Sequence, residues 1–359
     1  MKETGKQLKC PNCGGPLEFD PVSQKMKCSY CDTLVDVKES EGTDEEKAAV
    51  FQGAEKTTRE NAENTGEDTT GEMRVITCKN CGAELVTDEF TTASFCTYCG
   101  SPSIVESRVT GEKMPDFVIP FQIDKKKALE EYRKWTKKGL LTPNVFRSEA
   151  VMEKITGIYV PFWLYDYNAD LHAEGECVRT RFTSDSQNDY THRDYFYVCR
   201  DIEARFEKVP ADASEKMEDS MMDKLEPFDY EKLKPFKMDY LSGYLSERYN
   251  MAAAALEERV GGRVEEYMEE ILAGEVSGYS EKHLKKNVQD QVAKEYYALL
   301  PVWLLNYRYR GKVYSFAMNG QSGKIVADLP VSAIKTAGVF LVSFVVMYLI
   351  TMIIGGLIL

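Results

Sequence analysis

The spacing of apolar residues changes several times along this chain, and each change marks a predicted element. Residues 124–139 read DKKKALEEYRKWTKKG, with Leu129, Tyr132 and Thr136 on one stripe at helical spacing. An aspartate precedes the first turn and a glycine follows the last, and both residue types are favoured at those ends of a helix. The pattern therefore predicts a capped amphipathic helix.

Three further segments show helical spacing: residues 212–225, residues 251–273 and the stretch that begins at Ser280, SEKHLKKNVQDQVAKEYYALL. We expect a helix in each of them. The Gly261–Gly262 pair weakens the second of these helices in its middle, because glycine costs about 1 kcal/mol relative to alanine inside a helix.

Residues 159–178 switch to a period of two and read YVPFWLYDYNADLHAEGECV. From Tyr165 to Cys177 one parity is mostly apolar, and the other carries Asp166, Asn168, Asp170, His172, Glu174 and Glu176. This alternation predicts a half-buried strand or hairpin. A second strand pair is expected at residues 195–206, and Asn319–Gly320 predicts a hairpin turn.

Two strand-like segments resemble each other, PFWLYDY at residues 161–167 and PVWLLNY at residues 301–307. The similarity indicates either two related strands or coincidence. The aromatic side chains there could line a groove, but core packing is the expected role, because buried aromatic rings dominate core energetics. The set comprises Trp163, Tyr165, Tyr167, Trp303, Tyr307 and Tyr309.

The last segment, residues 337–359, contains 23 consecutive uncharged residues. At about 1.5 Å per residue, such a helix spans the roughly 30 Å hydrocarbon core of a bilayer. Lys324 and Lys335 precede it, so the positive-inside tendency places the N-terminal bulk in the cytoplasm. We therefore expect a single-pass cell-membrane protein whose contact with lipid is made through residues 337–359; a buried core helix is the alternative.

Eight of the ten cysteines form a repeated pattern. Residues 10–31 read CPNCGGPLEFDPVSQKMKCSYC and residues 78–99 read CKNCGAELVTDEFTTASFCTYC, with the same internal spacing. The N-terminus MKETGKQLKC lacks the apolar region of a signal peptide, so a reducing compartment and metal-bound thiolates are expected rather than disulfides. The predicted ligands are Cys10, Cys13, Cys28, Cys31, Cys78, Cys81, Cys96 and Cys99.

Four thiolates per unit close a tetrahedral shell and leave no position for a catalytic water, which predicts two structural zinc ions, one per unit. Each unit is too small for a hydrophobic core of its own, so metal binding would supply its folding energy. An iron–sulfur cluster or a redox dithiol pair are the alternatives; their usual spacings and scaffolds differ from this one.

The charge distribution disfavours, but does not exclude, nucleic acid as a partner. The chain has a net charge of −13, and residues 39–72 alone carry eleven acidic and three basic side chains. Neither cysteine unit has a basic face with interleaved aromatics, although Lys9, Lys25 and Lys27 could cluster locally. We expect an unknown protein partner and a scaffold role, with DNA or RNA binding as the alternative.

Other candidate chemistry is weaker. Cys177 and Cys199 lie in phase with apolar or aromatic strand residues and are expected to be buried core thiols. His172 lies on the opposite parity from Cys177, so a Cys–His dyad with it, or one using His192, is not expected. His283 is expected to be solvated, and GQSGK at residues 320–324 reads as a turn rather than a phosphate loop. Nothing nominates an active site, so the sequence predicts a protein that is not an enzyme.

These observations predict a multi-domain chain with two β-rich zinc ribbons, an α+β body of antiparallel strands and several helices, and one transmembrane helix. The ribbons are expected to stand off the body. The predicted divisions are ribbon 1 at residues 1–38, an acidic disordered linker at 39–72, ribbon 2 at 73–107, the α+β body at 108–330 and the membrane anchor at 331–359.

The chain resembles bacterial proteins that carry a transcription-factor-IIB-type zinc ribbon, as a tail-anchored member. The resemblance rests on the cysteine units, PFWLYDY, PVWLLNY, PFDYEKLKPFKMDYLSGYLSERY and FAMNGQSGK, and it covers nearly the whole chain. It implies zinc ligation by the eight cysteines and no established activity. Some such proteins are described as helicase-like, but this sequence has no Walker A motif.

Overall fold

The structure is a computed structural model. It describes residues 3–4, 8–37, 73–77, 84–88, 91–95, 102–105 and 113–358. The predicted linker at residues 39–72 and the second cysteine set, Cys78, Cys81, Cys96 and Cys99, lie outside the described residues.

The described part is an α+β fold, as predicted. Its helices are α1 (Lys125–Lys138), α2 (Glu149–Met152), α3 (Asp219–Leu225), α4 (Ala253–Glu275) and α5 (Ala333–Ile358), with 3-10 turns at Asn144–Arg147, Tyr230–Lys232 and Met238–Leu241. Its strands are β1 (Glu3–Thr4), β2 (Leu17–Asp20), β3 (Lys25–Cys28), β4 (Leu34–Val35), β5 (Met73–Thr77), β6 (Glu84–Asp88), β7 (Thr91–Phe95), β8 (Pro102–Ile104), β9 (Phe117–Val118), β10 (Thr156–Ser184), β11 (Asp189–Asp212), β12 (Lys234–Pro235), β13 (Leu245–Glu247), β14 (Glu281–Tyr309), β15 (Lys312–Asn319) and β16 (Ile325–Ala327).

Three long antiparallel strands organise a ten-stranded mixed sheet. β10 lies between β11 and β14, and the remaining strands extend the sheet on both sides in the order β12-β9-β14-β10-β13-β7-β8, with β15 on β14 and β16 on β15. β10 and β14 have 29 residues each, which corresponds to a contour length of about 95 Å. We call the distal part of these strands, residues 168–206 and 281–292, the arm.

The predicted alternation in β10 is confirmed from Tyr167 to Cys177, whereas Asp166, on the polar parity, is buried. Tyr165, Tyr167, Leu171 and Cys177 are buried, and this face packs against α4. The tyrosine hydroxyls tie the sheet to the helix, since Tyr165 donates to the Ala253 carbonyl at 2.8 Å and Tyr167 donates to the Glu257 carbonyl at 3.3 Å. The buried stripe of α4 is Ala253, Leu256, Val260, Val264, Met268 and Leu272.

Two of the predicted helices are confirmed, and a third is shorter than predicted. The side chain of Asp124 accepts the Lys127 amide at the N-terminus of α1, so its capping role is confirmed. α4 continues through Gly261–Gly262, because its buried stripe is held by the sheet. The segment 212–225 forms a helix only at Asp219–Leu225, since Asp212 still belongs to β11.

The helix predicted from Ser280 is wrong, because this stretch is strand β14. Leu284, Val288 and Val292 recur every fourth residue, a spacing that fits one face of a helix and also every second inward position of a strand. The intervening inward positions are charged, and Lys286 pairs with Glu269 of α4 at 2.7 Å. Contacts with α4 therefore decide the conformation of this stretch.

A charge network joins α3, α4 and the end of β11. The Arg259 guanidinium contacts Asp212 at 3.1 Å, Asp219 at 3.1 Å and Asp223 at 2.7 Å. Arg263 contacts Glu226 at 2.6 Å. The Asp212 side chain is fully buried, and its Oδ2 has no hydrogen-bond partner within the described residues.

The first cysteine unit does not stand off the body, contrary to expectation. Phe19 stacks edge-on against Tyr240 with ring centroids 5.2 Å apart. The Ser242 hydroxyl donates to the Leu17 carbonyl at 2.6 Å, and the Gln24 amide donates to the Phe121 carbonyl at 2.8 Å. β7, which belongs to the second unit by sequence, pairs antiparallel with β13 of the body. The aromatic contact of Phe19 and the two hydrogen bonds hold the first unit against the body.

Among the described residues, one helix is long and apolar enough to cross a membrane. It is the C-terminal helix α5, whose segment Ala333–Met352 has a mean hydropathy of 2.1 and contains no buried residue. A helix packed inside a soluble core would be mostly buried, so the core-helix alternative does not fit.

Candidate metal centre

Two backbone turns with the same hydrogen bonds present the first four cysteines. In the first turn the Cys10 amide donates to the Gly15 carbonyl and the Gly14 amide donates to the Cys10 carbonyl. In the second, Cys28 donates to Thr33 and Asp32 donates to Cys28 in the same manner. The residue after each second cysteine is left-handed, with φ +74° at Gly14 and φ +56° at Asp32. The two Cys-x-x-Cys segments therefore form equivalent turns.

The four sulfur atoms converge on one point. Cys10 Sγ lies 3.7 Å from Cys31 Sγ, and Cys13 Sγ lies 3.5 Å from Cys28 Sγ. All four sulfurs lie within 4.8 Å of one another. A zinc ion with Zn–S bonds of about 2.3 Å in a tetrahedron requires sulfur atoms about 3.8 Å apart. The observed distances fit such an ion without rearrangement of the backbone.

The electrostatics of the cluster favour a bound cation. The Thr33 hydroxyl, 3.1 Å from Cys31 Sγ, and the Thr33 amide lower the pKa of Cys31 to about 6. The Gly15 amide lowers the pKa of Cys13, but hydrogen bonds with the Cys31 and Cys28 thiols outweigh it and raise that pKa to about 12. One thiol thus ionises at the cost of its neighbour, and a divalent cation would stabilise all of them as thiolates.

Close packing around the sulfur atoms explains why position 15 is a glycine. A Cβ atom on Gly15 would lie 2.5 Å from the Tyr30 ring and 3.3 Å from Cys28 Sγ. Cys10 and Cys28 are buried, whereas Cys13 is exposed. The cluster therefore lies at the surface with two of its ligands inside the unit, and it could hold a metal ion. Whether Cys78, Cys81, Cys96 and Cys99 form an equivalent site stays a prediction.

Sequence reasoning missed a second group of potential ligands. His172, Cys199 and Asp201 meet on the open face of the arm, with ligand atoms within 4.8 Å of one another. His172 Nδ1 lies 2.6 Å from Asp201 Oδ1, and this hydrogen bond raises the pKa of His172. All three side chains are exposed, so any ion there would be bound largely by water as well.

The two remaining cysteines, Cys177 and Cys199, differ in burial, although both were predicted to be buried. Cys177 is buried, as expected, but the buried position predicted for Cys199 is wrong. Cys199 does share a parity with Tyr195 and Tyr197, and all three are exposed. The other parity of β11, which includes Val198, faces α4. His172 faces away from Cys177, as expected.

Most of the other predicted features lie where their sequence indicated. Of the six aromatic residues expected in the core, Trp163, Tyr165, Tyr167 and Trp303 are buried, whereas Tyr307 and Tyr309 are only half-buried. The segment GQSGK forms the turn between β15 and β16, closed by the Gly323 amide donating to the Asn319 carbonyl at 2.9 Å.

Comparison with known proteins shows one extended similarity. No family model matches the chain, and no solved structure matches it. The chain is 36% identical over 353 residues to "Uncharacterized protein YdjG" of Bacillus subtilis (strain 168), an alignment that covers 97% of this chain and 98% of that protein. Membership of the transcription-factor-IIB-type zinc-ribbon proteins stays a prediction. With near-complete coverage at this identity, the chain belongs to the family of the B. subtilis protein YdjG.

Proposed function

We propose that this chain is a membrane-anchored, structural zinc-binding protein that serves as a protein-interaction scaffold on the cytoplasmic face of the cell membrane and is not an enzyme. The observation that carries the proposal is the closed set of four thiols, Cys10, Cys13, Cys28 and Cys31, with sulfur distances that suit tetrahedral zinc. The second cysteine set, with the same spacing, would hold a second structural ion.

A docked zinc unit stabilises a surface rather than a reaction centre. Residues Leu17, Phe19 and Met26 of this unit are buried, so its fold and its contact with the body depend on each other. A cavity of about 330 Å³ does lie at this junction. Its lining, Pro21, Gln24, Pro120, Gln122, Lys232 and Lys234, contains no carboxylate, thiol or imidazole, and its two charged side chains are the lysines.

The arm offers a surface for a protein partner. Phe182, Tyr195 and Tyr197 share its open face and are 78%, 60% and 74% exposed. Aromatic side chains are enriched at the energetically important positions of protein interfaces. Tyr197 is oriented by a hydrogen bond from its hydroxyl to Glu174 at 2.9 Å, which lowers the entropy that binding would cost.

Binding of nucleic acid by the described zinc unit is not favoured. Lys25 pairs with Asp36 at 2.8 Å, and Lys27 pairs with Asp32 at 3.0 Å. Two of the three lysines that could have formed a basic patch are therefore neutralised locally. Because affinity for DNA or RNA comes largely from phosphate contacts, a unit without a free basic face binds weakly and without a steep salt dependence.

Affinity capture from cells tests the scaffold proposal. The full chain, extracted in mild detergent after cross-linking, should capture a defined protein that is lost with Tyr195→Ser/Tyr197→Ser. A matched variant, Tyr309→Ser/Tyr314→Ser at the β14–β15 turn, should retain it. Equal capture by both variants, or no specific protein with either, would contradict an interaction surface on the arm.

Two further measurements separate the alternatives. Salt-sensitive binding of the full chain to DNA or RNA, removed by substitutions at Lys9, Lys25 and Lys27, would favour the nucleic-acid alternative. Release of the full chain from membranes without detergent would contradict the anchor.

A further inference from the structure

The end of the body next to α5 concentrates basic charge in an acidic chain. Residues 132–148 contain five basic and no acidic side chains, and residues 296–327 contain four basic and no acidic side chains. The chain as a whole has a net charge of −13. The fold brings these two distant segments together.

Direct contacts connect the first segment to the start of the C-terminal helix. The Ser332 amide donates to the Leu141 carbonyl at 2.9 Å. The Lys335 ammonium donates to the Thr142 carbonyl at 2.7 Å and to Asn144 Oδ1 at 2.8 Å. The loop that follows α1 is therefore fixed beside the point where the predicted membrane span begins.

An aromatic cluster connects the second segment to the same place. The Phe146 ring lies 5.6 Å from Tyr309 and 5.7 Å from Tyr314, centroid to centroid. These tyrosines flank the β14–β15 turn, where Arg310 lies over the Tyr309 ring and Lys312 lies over the Tyr314 ring. We call the surface formed by residues 137–147 and 308–314 the basic end.

Exposed apolar side chains surround this charge. Leu140 is 75% exposed and Ile334 is 78% exposed, and Val313 at the turn and Val331 before α5 are also exposed. Basic residues, tyrosines and a few exposed aliphatic residues are the composition that settles at the interface of a bilayer. A surface that faces only water does not require exposed aliphatic side chains beside basic residues and tyrosines, whereas a surface that contacts lipid headgroups does.

We propose that the basic end lies flat on an anionic lipid leaflet, with Leu140 and Val313 among the headgroups. This inference rests on the proposed membrane anchoring by α5. Each lysine or arginine held near an anionic leaflet is attracted to it, so several together fix the orientation of the body. β14 runs from Tyr309 at this end to Glu281 in the arm, so the arm projects away from the bilayer.

The test uses the full chain in vesicles of phosphatidylcholine, with or without phosphatidylglycerol, and amide hydrogen exchange. In anionic vesicles, amides at residues 139–142 and 309–313 should exchange about tenfold more slowly than in neutral vesicles. The triple variant Lys138→Gln/Arg310→Gln/Lys312→Gln should lose this difference. The matched triple Lys282→Gln/Lys285→Gln/Lys294→Gln, on the arm and next to it, should keep it.

The outcomes distinguish the inference from the anchor. Resistance to alkaline extraction, together with equal exchange in both kinds of vesicle, overturns the inference and leaves the anchor intact. Extraction of the chain at alkaline pH overturns both. If a DNA duplex without lipid protects the same amides equally, the basic end is not specific for a lipid surface, and the inference is contradicted.

Discussion

The buried carboxylate of Asp212 provides a prediction whose magnitude follows from the structure. Burial raises its pKa from 3.8 to about 6, with Arg259 acting in the opposite direction and Asp219 adding to the increase. In the unfolded chain the carboxyl group titrates near its ordinary value. The folded protein therefore binds this proton more tightly than the unfolded chain.

The sign of the pH dependence follows from this difference. Stability from Asp212 is fully present below about pH 4 and is lost as the pH rises through about 6. The shift of about two units corresponds to about 3 kcal/mol in total. Of this, about 1.4 kcal/mol is lost between about pH 5 and about pH 7.5.

Asp212→Asn removes the titration with little change in shape. The free energy of unfolding of this variant, minus that of the unmodified chain, should therefore rise by about 1.4 kcal/mol from about pH 5 to about pH 7.5. Urea unfolding of the full chain in detergent, followed by tryptophan fluorescence, measures this difference. Asp223→Asn is the matched control, because its carboxylate contacts the same Arg259 at 2.7 Å but is 39% exposed.

For Asp223→Asn we expect a change of at most about 1 kcal/mol. Its growth over this pH range should be smaller than that of Asp212→Asn, because the substitution removes only one of the charges that raise the pKa of Asp212. A difference between Asp212→Asn and the unmodified chain that stays constant with pH would refute the reasoning. It would mean that the buried carboxylate titrates as it does in the unfolded chain.

Three further predictions concern the metal centre, the core and the cysteines. Gly15→Ala should lower the zinc content and the stability of the chain, because the added methyl group meets the Tyr30 ring. Gly262→Ala, which has open space around it in α4, should instead raise the free energy of unfolding by about 1 kcal/mol. Metal analysis and unfolding measurements check both variants, and equal effects would contradict the packing. Leu256→Ala should cost about 2–5 kcal/mol of unfolding free energy, since the side chain is buried between α4 and the sheet, and a loss below about 1 kcal/mol would contradict that burial. In the native chain Cys199 should react with a thiol reagent well before Cys177, followed by mass spectrometry, and equal rates would contradict their assigned faces.

The sequence predicted those elements whose pattern has one structural interpretation. The parity of β10 and the stripe of α4 are both unambiguous, and both are confirmed. The pattern of the stretch from Ser280 was ambiguous, because apolar residues at every fourth position suit a helix as well as a strand. Its charged inward positions, such as Lys286, gain partners only when α4 lies across them, and no local pattern contains that information.

The four-cysteine cluster was predictable to the extent that local spacing determines it. Two Cys-x-x-Cys turns with Gly14 and Asp32 in the left-handed conformation place four sulfurs together almost independently of the rest of the chain. The docking of this unit through Phe19 onto Tyr240 could not be predicted, because it joins positions more than two hundred residues apart. Strand parity identified a shared face for Cys199 and the tyrosines but could not identify which face the body covers.

The exposed group on the arm shows the same limit. His172 and Asp201 are cross-strand partners in the β10–β11 register, and that register depends on where the hairpin turns. The sequence placed His172 on the polar parity of β10, but Asp201 shares its parity with Tyr195 and Tyr197, so the group could be recognised only after the pairing was known.

Metal content of the full chain tests the central claim most directly. Purified without chelators, the chain should contain about two zinc ions, and Cys28→Ser/Cys31→Ser should contain about one fewer. The control Cys177→Ser/Cys199→Ser should keep the full content. A chain that holds no zinc, or a Cys28→Ser/Cys31→Ser variant with unchanged zinc, would contradict the account.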